Sequence, residues 1–161
     1  MKNSITYKAI GMIYSEHTVP ENTPIQPVYA QECNGTIEVF PKFADGLADL
    51  EGFSHIYLLY HFHRCENVRL KVKPFLQDVE RGVFSTRAPC RPNGIGMSIV
   101  RLIRRDGNTL YVQGIDVLDG APLLDIKPYT TRFDCIQTDR NGWHDDVPED
   151  NAQVLGKRNF K

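Results

Sequence analysis

The chain has 161 residues, 41% of them hydrophobic, which is enough for one domain of ordinary size with its own buried core. No stretch approaches the roughly 20 apolar residues of a membrane-spanning helix, and the first residues lack the basic-then-apolar pattern of a signal peptide, so we expect a cytoplasmic protein with no membrane contact. The cysteines are widely spaced and form no C-x-x-C pair, which predicts free thiols rather than a disulfide framework or a zinc knuckle at Cys33, Cys65, Cys90 and Cys135.

Charge is distributed unevenly along the chain. The formal net charge is −1, but residues 64–105 hold ten Lys/Arg against three Asp/Glu, which gives this segment a charge of +7. A basic block in a near-neutral chain is typical of a phosphate-binding face, although strands also carry charges on a solvated side that has no partner. Charge alone leaves both interpretations open.

The first third of the chain is predicted to contain two short strands and little helix. Ile5–Tyr14 mixes β-branched and aromatic residues, which favours a strand, and Thr36–Phe40 alternates as a strand with one buried face. The long polar loop between them contains Pro24-Ile25-Gln26, a candidate contact element because long ordered loops in compact domains tend to be functional; an ordinary flexible loop is the alternative. Ala44–Leu50 can form about two helical turns.

Ser54–Phe62 gives the strongest strand signal. Both of its faces are bulky, which predicts a central strand. His61 and His63 project to the same side at its end and could hold a metal together with Cys65. No further ligand is evident nearby, so polar contacts at a strand end are the preferred interpretation and no metal is assigned.

The segment 84–98, FSTRAPCRPNGIGMS, is predicted to be a stiff loop. Its prolines fix φ, and Asn93-Gly94 supplies a turn. Arg87 and Arg91 therefore stand on a backbone that cannot easily relax, which favours guanidinium groups aimed at a planar or anionic partner. The alternative is that they are solvated surface charges.

A predicted hairpin follows, with strands Met97–Arg105 and Thr109–Leu118 joined by Asp106-Gly107-Asn108. The second strand runs into Asp116–Tyr129, which contains three carboxylates, a lysine and a tyrosine. A turn-rich loop is one interpretation of this segment. Because it follows the strand paired to the one after the 84–98 loop, we expect the two loops to meet.

Five or six short strands without a βαβ alternation predict a mostly β fold, an antiparallel sheet closed or half-closed into a barrel with short helices. The dinucleotide and P-loop fingerprints are missing, because Gly94-Ile95-Gly96 lacks a third glycine and precedes a strand. After Cys135 the chain is acidic and then basic, which indicates an ordered return and a mobile end at residues 157–161.

Three motifs carry a resemblance to a known family: FSTRAPCRPNGIGMS, DVLDGAPLLDIKPY and, upstream, LEGFSHIYLLYHFHR. In this order they resemble the TrmO, or TsaA-like, family of tRNA methyltransferases, from about Ile10 to Asp134. The resemblance implies a single-sheeted antiparallel β-barrel, commonly dimeric, spanning residues 1–134, with residues 135–161 as a C-terminal extension. It also implies an S-adenosylmethionine-dependent enzyme that methylates N6 of threonylcarbamoyladenosine, the modified base immediately 3′ of the anticodon.

The family's cofactor contacts fall on residues from four parts of this chain. They are Pro24, Ile25, Gln26, His61, Phe62, His63, Arg87, Met97, Asp116, Val117, Leu118 and Asp119. Arg91 or Lys127 could meet the threonyl carboxylate of the modified base, and Asp125 or Tyr129 could accept the proton of the nucleophile. Two alternatives stay open: a non-catalytic barrel that binds S-adenosylmethionine or RNA, and a methyltransferase for another acceptor.

Overall fold

The structure is a computed structural model that describes residues 4–158. Its strands are β1 (Gly11–Ser15), β2 (Asn34–Val39), β3 (His55–His61), β4 (Lys71–Val72), β5 (Arg81–Gly82), β6 (Ile95–Asp106), β7 (Thr109–Gln113) and β8 (Ala121–Pro128). The α-helices are α1 (Thr131–Asp134) and α2 (Glu149–Lys157), and short 3-10 helices span Pro20–Asn22, Pro27–Tyr29, Pro41–Leu47, Leu50–Gly52, Val83–Ser85 and Gly142–Asp146.

Six strands close into an antiparallel barrel in the order β1-β2-β7-β6-β3-β8, with β8 pairing back onto β1. The strands β4 and β5 form a separate two-stranded sheet. Closure gives every strand of the barrel two hydrogen-bonded neighbours and leaves no exposed edge. The predicted fold class, a mostly β antiparallel barrel with short helices, is confirmed.

The core fills the barrel because each strand alternates between an inward and an outward side chain. In β3, Ile56, Leu58 and Tyr60 are buried, whereas Tyr57 and Leu59 are half-buried on the outer surface. The predicted central position of this strand is confirmed, since β3 lies between β6 and β8. Its second bulky face is not in the core, because the wall of a barrel has only one face toward the core.

Two predicted strands are shorter in the structure. β1 begins at Gly11, the first residue that pairs with β2 and β8, and not at Ile5. The Ile5 side chain is 76% exposed. β7 ends at Gln113 because Gly114 has φ +84°, a left-handed conformation that takes the chain out of the strand. The predicted helix over 44–50 is two 3-10 segments separated at Asp49, whose φ is +65°.

β8 was missed by the sequence analysis, which treated Asp116–Tyr129 as a loop. Its prolines and charged side chains imitate a turn-rich segment. In the structure Ala121 and Leu123 are fully buried and the strand pairs with both β1 and β3, so this strand completes the barrel.

The prediction of four free thiols was also wrong. Cys65 and Cys90 form a disulfide that joins the turn after β3 to the 84–98 loop, and Arg69 N–H donates to the Cys90 carbonyl at 3.0 Å beside it. Cys33 and Cys135 are free, as predicted. The disulfide forms because residues 66–89 fold back and bring Cys90 next to Cys65, and the spacing of the cysteines in the sequence does not predict this fold.

Residues 135–158 contain the 3-10 helix Gly142–Asp146 and α2, and α2 ends at Lys157. The predicted mobile end lies partly in residues 159–161, outside the described residues. Division of the chain at residue 134 stays a prediction. No helix within residues 4–158 is long and apolar enough to cross a membrane.

Candidate functional site

Three of the predicted cofactor segments meet beside one another. The Arg87 guanidinium donates a hydrogen bond from Nη1 to Gln26 Oε1, which joins the 84–98 loop to the 20–29 loop. The 84–98 segment also reaches Asp116, because Ser98 at its end donates a hydrogen bond to the Asp116 carboxyl group. Hydrogen bonds of Arg87 and Ser98 thus link the three segments, which are supported by a rigid barrel.

Asp116 is held by a polar chain that enters the barrel. Ser98 Oγ donates to Asp116 Oδ1 at 2.5 Å, and the Tyr60 hydroxyl shares a hydrogen bond with Ser98 Oγ at 3.2 Å. A Cβ at Gly96 would lie 2.4 Å from the Tyr60 ring, so only glycine leaves room for this tyrosine. Tyr60 and Ser98 therefore orient a carboxylate that faces the site.

Burial raises the pKa of Asp116 to about 7, although the Ser98 hydroxyl, the residue's own backbone N–H and the Arg87 charge each favour its ionised form. Burial likewise raises the pKa of Tyr60 far above its ordinary value, with the charge of Asp116 acting in the same direction, so this phenol stays neutral. A carboxyl group that ionises near neutrality in a partly enclosed position is typical of a ligand-binding site.

The segment after Asp116 presents backbone more than side chains. Val117 is buried, and its carbonyl accepts from Ser15 Oγ at 2.6 Å. Asp119 Oδ1 accepts from Ser15 N–H at 3.1 Å, and Leu118 is half-buried. Among the predicted cofactor residues 116–119, only Asp116 and Asp119 have polar side chains. Asp119 also binds this segment to the end of β1 through its hydrogen bond with Ser15.

The end of β3 lies beside the same loops. Phe62 N–H donates to the Gly94 carbonyl at 2.7 Å, and His61 Nδ1 lies 3.2 Å from the same oxygen. Burial and the Arg64 charge lower the pKa of His63, while its hydrogen bond with the His61 backbone opposes the shift.

Cys65 is not available as a ligand in the alternative site, a metal held by His61, His63 and Cys65. Cys65 is bonded to Cys90 and has no thiolate to offer. Within residues 4–158 no group of three His, Cys, Asp or Glu side chains is arranged to hold a metal.

The remaining residues of the 20–29 loop and Arg91 have structural partners. Pro24 is buried, and Ile25 N–H donates to the Gly156 carbonyl at 2.9 Å. Arg91 Nη1 donates to the carbonyls of Thr86 and Ala88, at 3.1 and 3.3 Å, so this guanidinium braces its own loop. Its assignment to substrate binding stays a prediction.

Four predicted site residues lie outside this cluster, on the outer face of the barrel. Met97 stands opposite Leu59 in the β6–β3 pairing, and Asp125 stands opposite Leu59 in the β3–β8 pairing, so both share its outward direction. Lys127 Nζ lies 2.8 Å from Asp125 Oδ2. Tyr129 packs against Tyr57, with ring centroids 5.7 Å apart. Their assigned roles stay predictions.

The sequence analysis missed Tyr60, Ser98 and Gly96 as parts of the site. A signal was available, because Ser98 is a polar residue at an inward position of an alternating strand, and a buried hydroxyl requires a hydrogen-bond partner.

Much of the basic segment is paired within the chain. Lys73 Nζ lies 2.7 Å from Asp78, Arg105 bonds to the Leu47 carbonyl and lies 3.6 Å from Glu51, and the Arg104 guanidinium stacks 3.5 Å from the Tyr111 ring centroid. The segment keeps its positive charge, but fewer of its lysines and arginines lack a partner within the chain than the count of ten suggests.

Comparison with known proteins identifies the family. The model of the tRNA-methyltransferase O N-terminal domain (TrmO_N) matches residues 12–135, most of the chain. The chain belongs to this family. A solved structure described as "Crystal structure of TrmO" superposes with a TM-score of 0.75 at 42% identity, covering 86% of this chain and 64% of that one. A second TrmO structure, from Pseudomonas aeruginosa, gives a TM-score of 0.72 at 40% identity over 86% of this chain and 62% of the other.

Two curated relatives differ in how much of their length this chain covers. A protein of Pyrococcus abyssi named "Probable S-adenosyl-L-methionine-binding protein" is 52% identical over 139 residues, which is 86% of this chain and 76% of that protein. The mouse "tRNA (adenine(37)-N6)-methyltransferase" is 36% identical over 135 residues, 80% of this chain but 31% of that enzyme. The chain thus spans less than two thirds of the TrmO structures and about a third of the mouse enzyme.

Proposed function

We propose that this TrmO-family barrel binds S-adenosylmethionine at the cluster of Gln26, Arg87 and Asp116 and transfers its methyl group to N6 of threonylcarbamoyladenosine in tRNA. The observation that carries the proposal is that hydrogen bonds from Arg87 to Gln26 and from Ser98 to Asp116 bring three predicted cofactor segments together. The names of the relatives, which refer to S-adenosylmethionine binding and to methylation of tRNA adenine, support it. A tRNA substrate also places the protein in the cytoplasm.

The residues of the cluster fit this cofactor. Asp116, a carboxylate poised to ionise near neutrality, can accept hydrogen bonds from ribose hydroxyls or pair with an ammonium group, and Arg87 can bind a carboxylate. The cofactor supplies an electrophilic methyl group. The protein's own contribution is then to hold donor and acceptor in line and to exclude water, which a loop cluster on a rigid barrel can do.

The predicted proton acceptors favour a homodimer as part of this proposal. Asp125 and Tyr129 lie on the outer face of the barrel, whereas Asp116 is bonded to Ser98, whose side chain is buried inside it. Beside this face, where β6 pairs with β3, two apolar side chains are exposed, Ile95 at 39% and Met97 at 47%. A dimer that covers part of this face would place Asp125 and Tyr129 at the subunit boundary, where the site of either subunit could use them. Sedimentation is the measurement, and a monomer with full activity would contradict the dimer.

Replacing Arg87 with alanine tests cofactor binding. We expect the variant to bind S-adenosylmethionine more weakly by about 1.5–3 kcal/mol, roughly ten- to 150-fold, because a charged hydrogen bond is removed. Arg101→Ala is the matched control, since Arg101 is exposed on the outer face of β6. Calorimetry gives both affinities. Equal affinity of the Arg87 variant and the wild type would remove Arg87 from the cofactor site.

Transfer of labelled methyl from S-adenosylmethionine to tRNA tests the reaction. We expect tRNA that carries threonylcarbamoyladenosine to be labelled and the same tRNA without the threonylcarbamoyl group to remain unlabelled, because the threonyl carboxylate is part of what is recognised. Equal labelling would indicate another acceptor. Labelling of neither tRNA, despite cofactor binding, would favour a binding protein without turnover.

A further inference from the structure

Helix α2 contacts the loop that carries Gln26. Ile25 N–H, one residue before Gln26, donates to the Gly156 carbonyl at 2.9 Å. Ala152 and Gly156 are the buried residues of this helix. The backbone of the predicted cofactor loop is therefore hydrogen-bonded to the last turn of a helix that lies outside the family's matched range, residues 12–135.

Gly156 allows this contact because it has no side chain. A Cβ at this position would lie 2.4–2.6 Å from three carbons of the Tyr29 ring, a separation that forces the helix and the loop apart. Tyr29 closes the short 3-10 helix Pro27–Tyr29, and its N–H donates to the Gln26 carbonyl at 3.0 Å. The ring that rests on Gly156 thus belongs to the turn that fixes the Gln26 backbone.

A second contact holds the start of the same loop. The Arg158 guanidinium donates to the Pro20 carbonyl, and it stacks 3.7 Å from the centroid of the Phe75 ring. The loop is therefore held at Pro20 and at Ile25 by residues two positions apart in the C-terminal segment. Gln26, the residue after Ile25, accepts a hydrogen bond from the Arg87 guanidinium through its side chain.

From these contacts we infer that α2 is a positioning clamp for the cofactor site, and that Gly156 is the positioning residue on which it depends. Docking of Gly156 on Tyr29 fixes the Ile25–Gln26 backbone, and Gln26 then orients the Arg87 guanidinium toward Asp116. The inference rests on the proposed cofactor function of this cluster. A loop released from the clamp would adopt the binding conformation for only part of the time, which weakens the apparent affinity by that fraction.

The test compares Gly156→Ala with Gly46→Ala, a matched glycine substitution at a position where a Cβ meets no atom within 4 Å. For Gly156→Ala we expect faster hydrogen exchange of the Ile25 amide and an affinity for S-adenosylmethionine that falls by about tenfold, with kcat changed less than KM. Gly46→Ala should match the wild type in all three. Unaltered Ile25 exchange, or fast exchange with wild-type affinity, would overturn the clamp. Failure of the wild type to bind the cofactor would instead reject the proposed function.

A double-mutant cycle keeps the test valid if Gly156→Ala destabilises the chain as a whole. In a Tyr29→Ala background the added methyl group has no ring to meet, so Gly156→Ala should then lower the affinity by less than about twofold. An equal loss in both backgrounds would contradict the contact between Gly156 and Tyr29 as the cause.

Discussion

Asp116→Asn is expected to stabilise the folded protein above neutral pH while it weakens cofactor binding. Burial raises the pKa of Asp116 to about 7, so the native state binds a proton that the unfolded chain has released above its ordinary carboxyl pKa. Below the carboxyl pKa of the unfolded chain, Asp116 is protonated in both states and does not lower the free energy of unfolding. As pH rises from there to about 7, ionisation of the carboxyl favours the unfolded chain, so the free energy of unfolding falls. Asparagine can accept the Ser98 hydrogen bond without ionising, so above pH 7 we expect the variant to be about 2–4 kcal/mol more stable, the lower value allowing for partial exposure.

The measurement is denaturant unfolding of both proteins across the range from about pH 4 to pH 8. The difference should be near zero at the acidic end and grow toward neutrality. Asp78→Asn is the control of opposite sign, because the Lys73 hydrogen bond and charge lower the pKa of Asp78. This variant should be slightly less stable than the wild type, by an amount that is already present near the acidic end and does not grow toward pH 8. A wild-type protein as stable as Asp116→Asn at pH 8 would contradict the buried ionisation. A gain in stability that accompanies a loss of affinity is the expected signature of a functional carboxylate.

The barrel was predictable because local and global signals agree along most of its strands. β3 and β6 alternate regularly, and Asp106-Gly107-Asn108 marks the hairpin that joins β6 to β7. β8 was not predictable in this way, because its one carboxylate, Asp125, lies on the outer face, its prolines stand near the two ends of the strand, and its inward residues are few. Its burial comes from pairing with β1, more than 100 residues earlier, and a sequence window does not contain that partner.

The candidate site was predictable in its parts more than in its connections. A contact between the 84–98 segment and the segment that begins at Asp116 was expected from the hairpin that links them, and the hydrogen bond from Ser98 to Asp116 provides it. The pairing of Gln26 with Arg87, the support of Asp116 by Ser98, and the docking of Gly156 on Tyr29 all join residues far apart in the chain. Such contacts depend on side-chain shape in three dimensions, and no local pattern records them.

The disulfide was invisible for a related reason and has a large expected effect. Cys65 and Cys90 are 25 residues apart, and their bond closes a loop that contains β4, β5 and Arg87. A cross-link of this span removes conformational freedom from the unfolded chain, worth about 3.5 kcal/mol in the chain-entropy model. We expect Cys65→Ser combined with Cys90→Ser to lower the free energy of unfolding by about this amount and the midpoint of thermal unfolding by roughly 7–14 °C.

Reduction separates the cross-link from the substitutions themselves. A reductant should lower the unfolding midpoint of the wild type to that of the double variant and leave the double variant unchanged. Cys135→Ser is the matched control, since Cys135 is exposed and free, and its midpoint should follow the wild type with and without reductant. Because the bond ties the 84–98 loop to the end of β3, the same treatment should weaken S-adenosylmethionine binding by releasing Arg87. A wild-type midpoint that does not respond to reductant would show that the cross-link contributes nothing to stability, and unchanged affinity would show that the Arg87 loop is held by its other contacts, among them the Gln26 hydrogen bond.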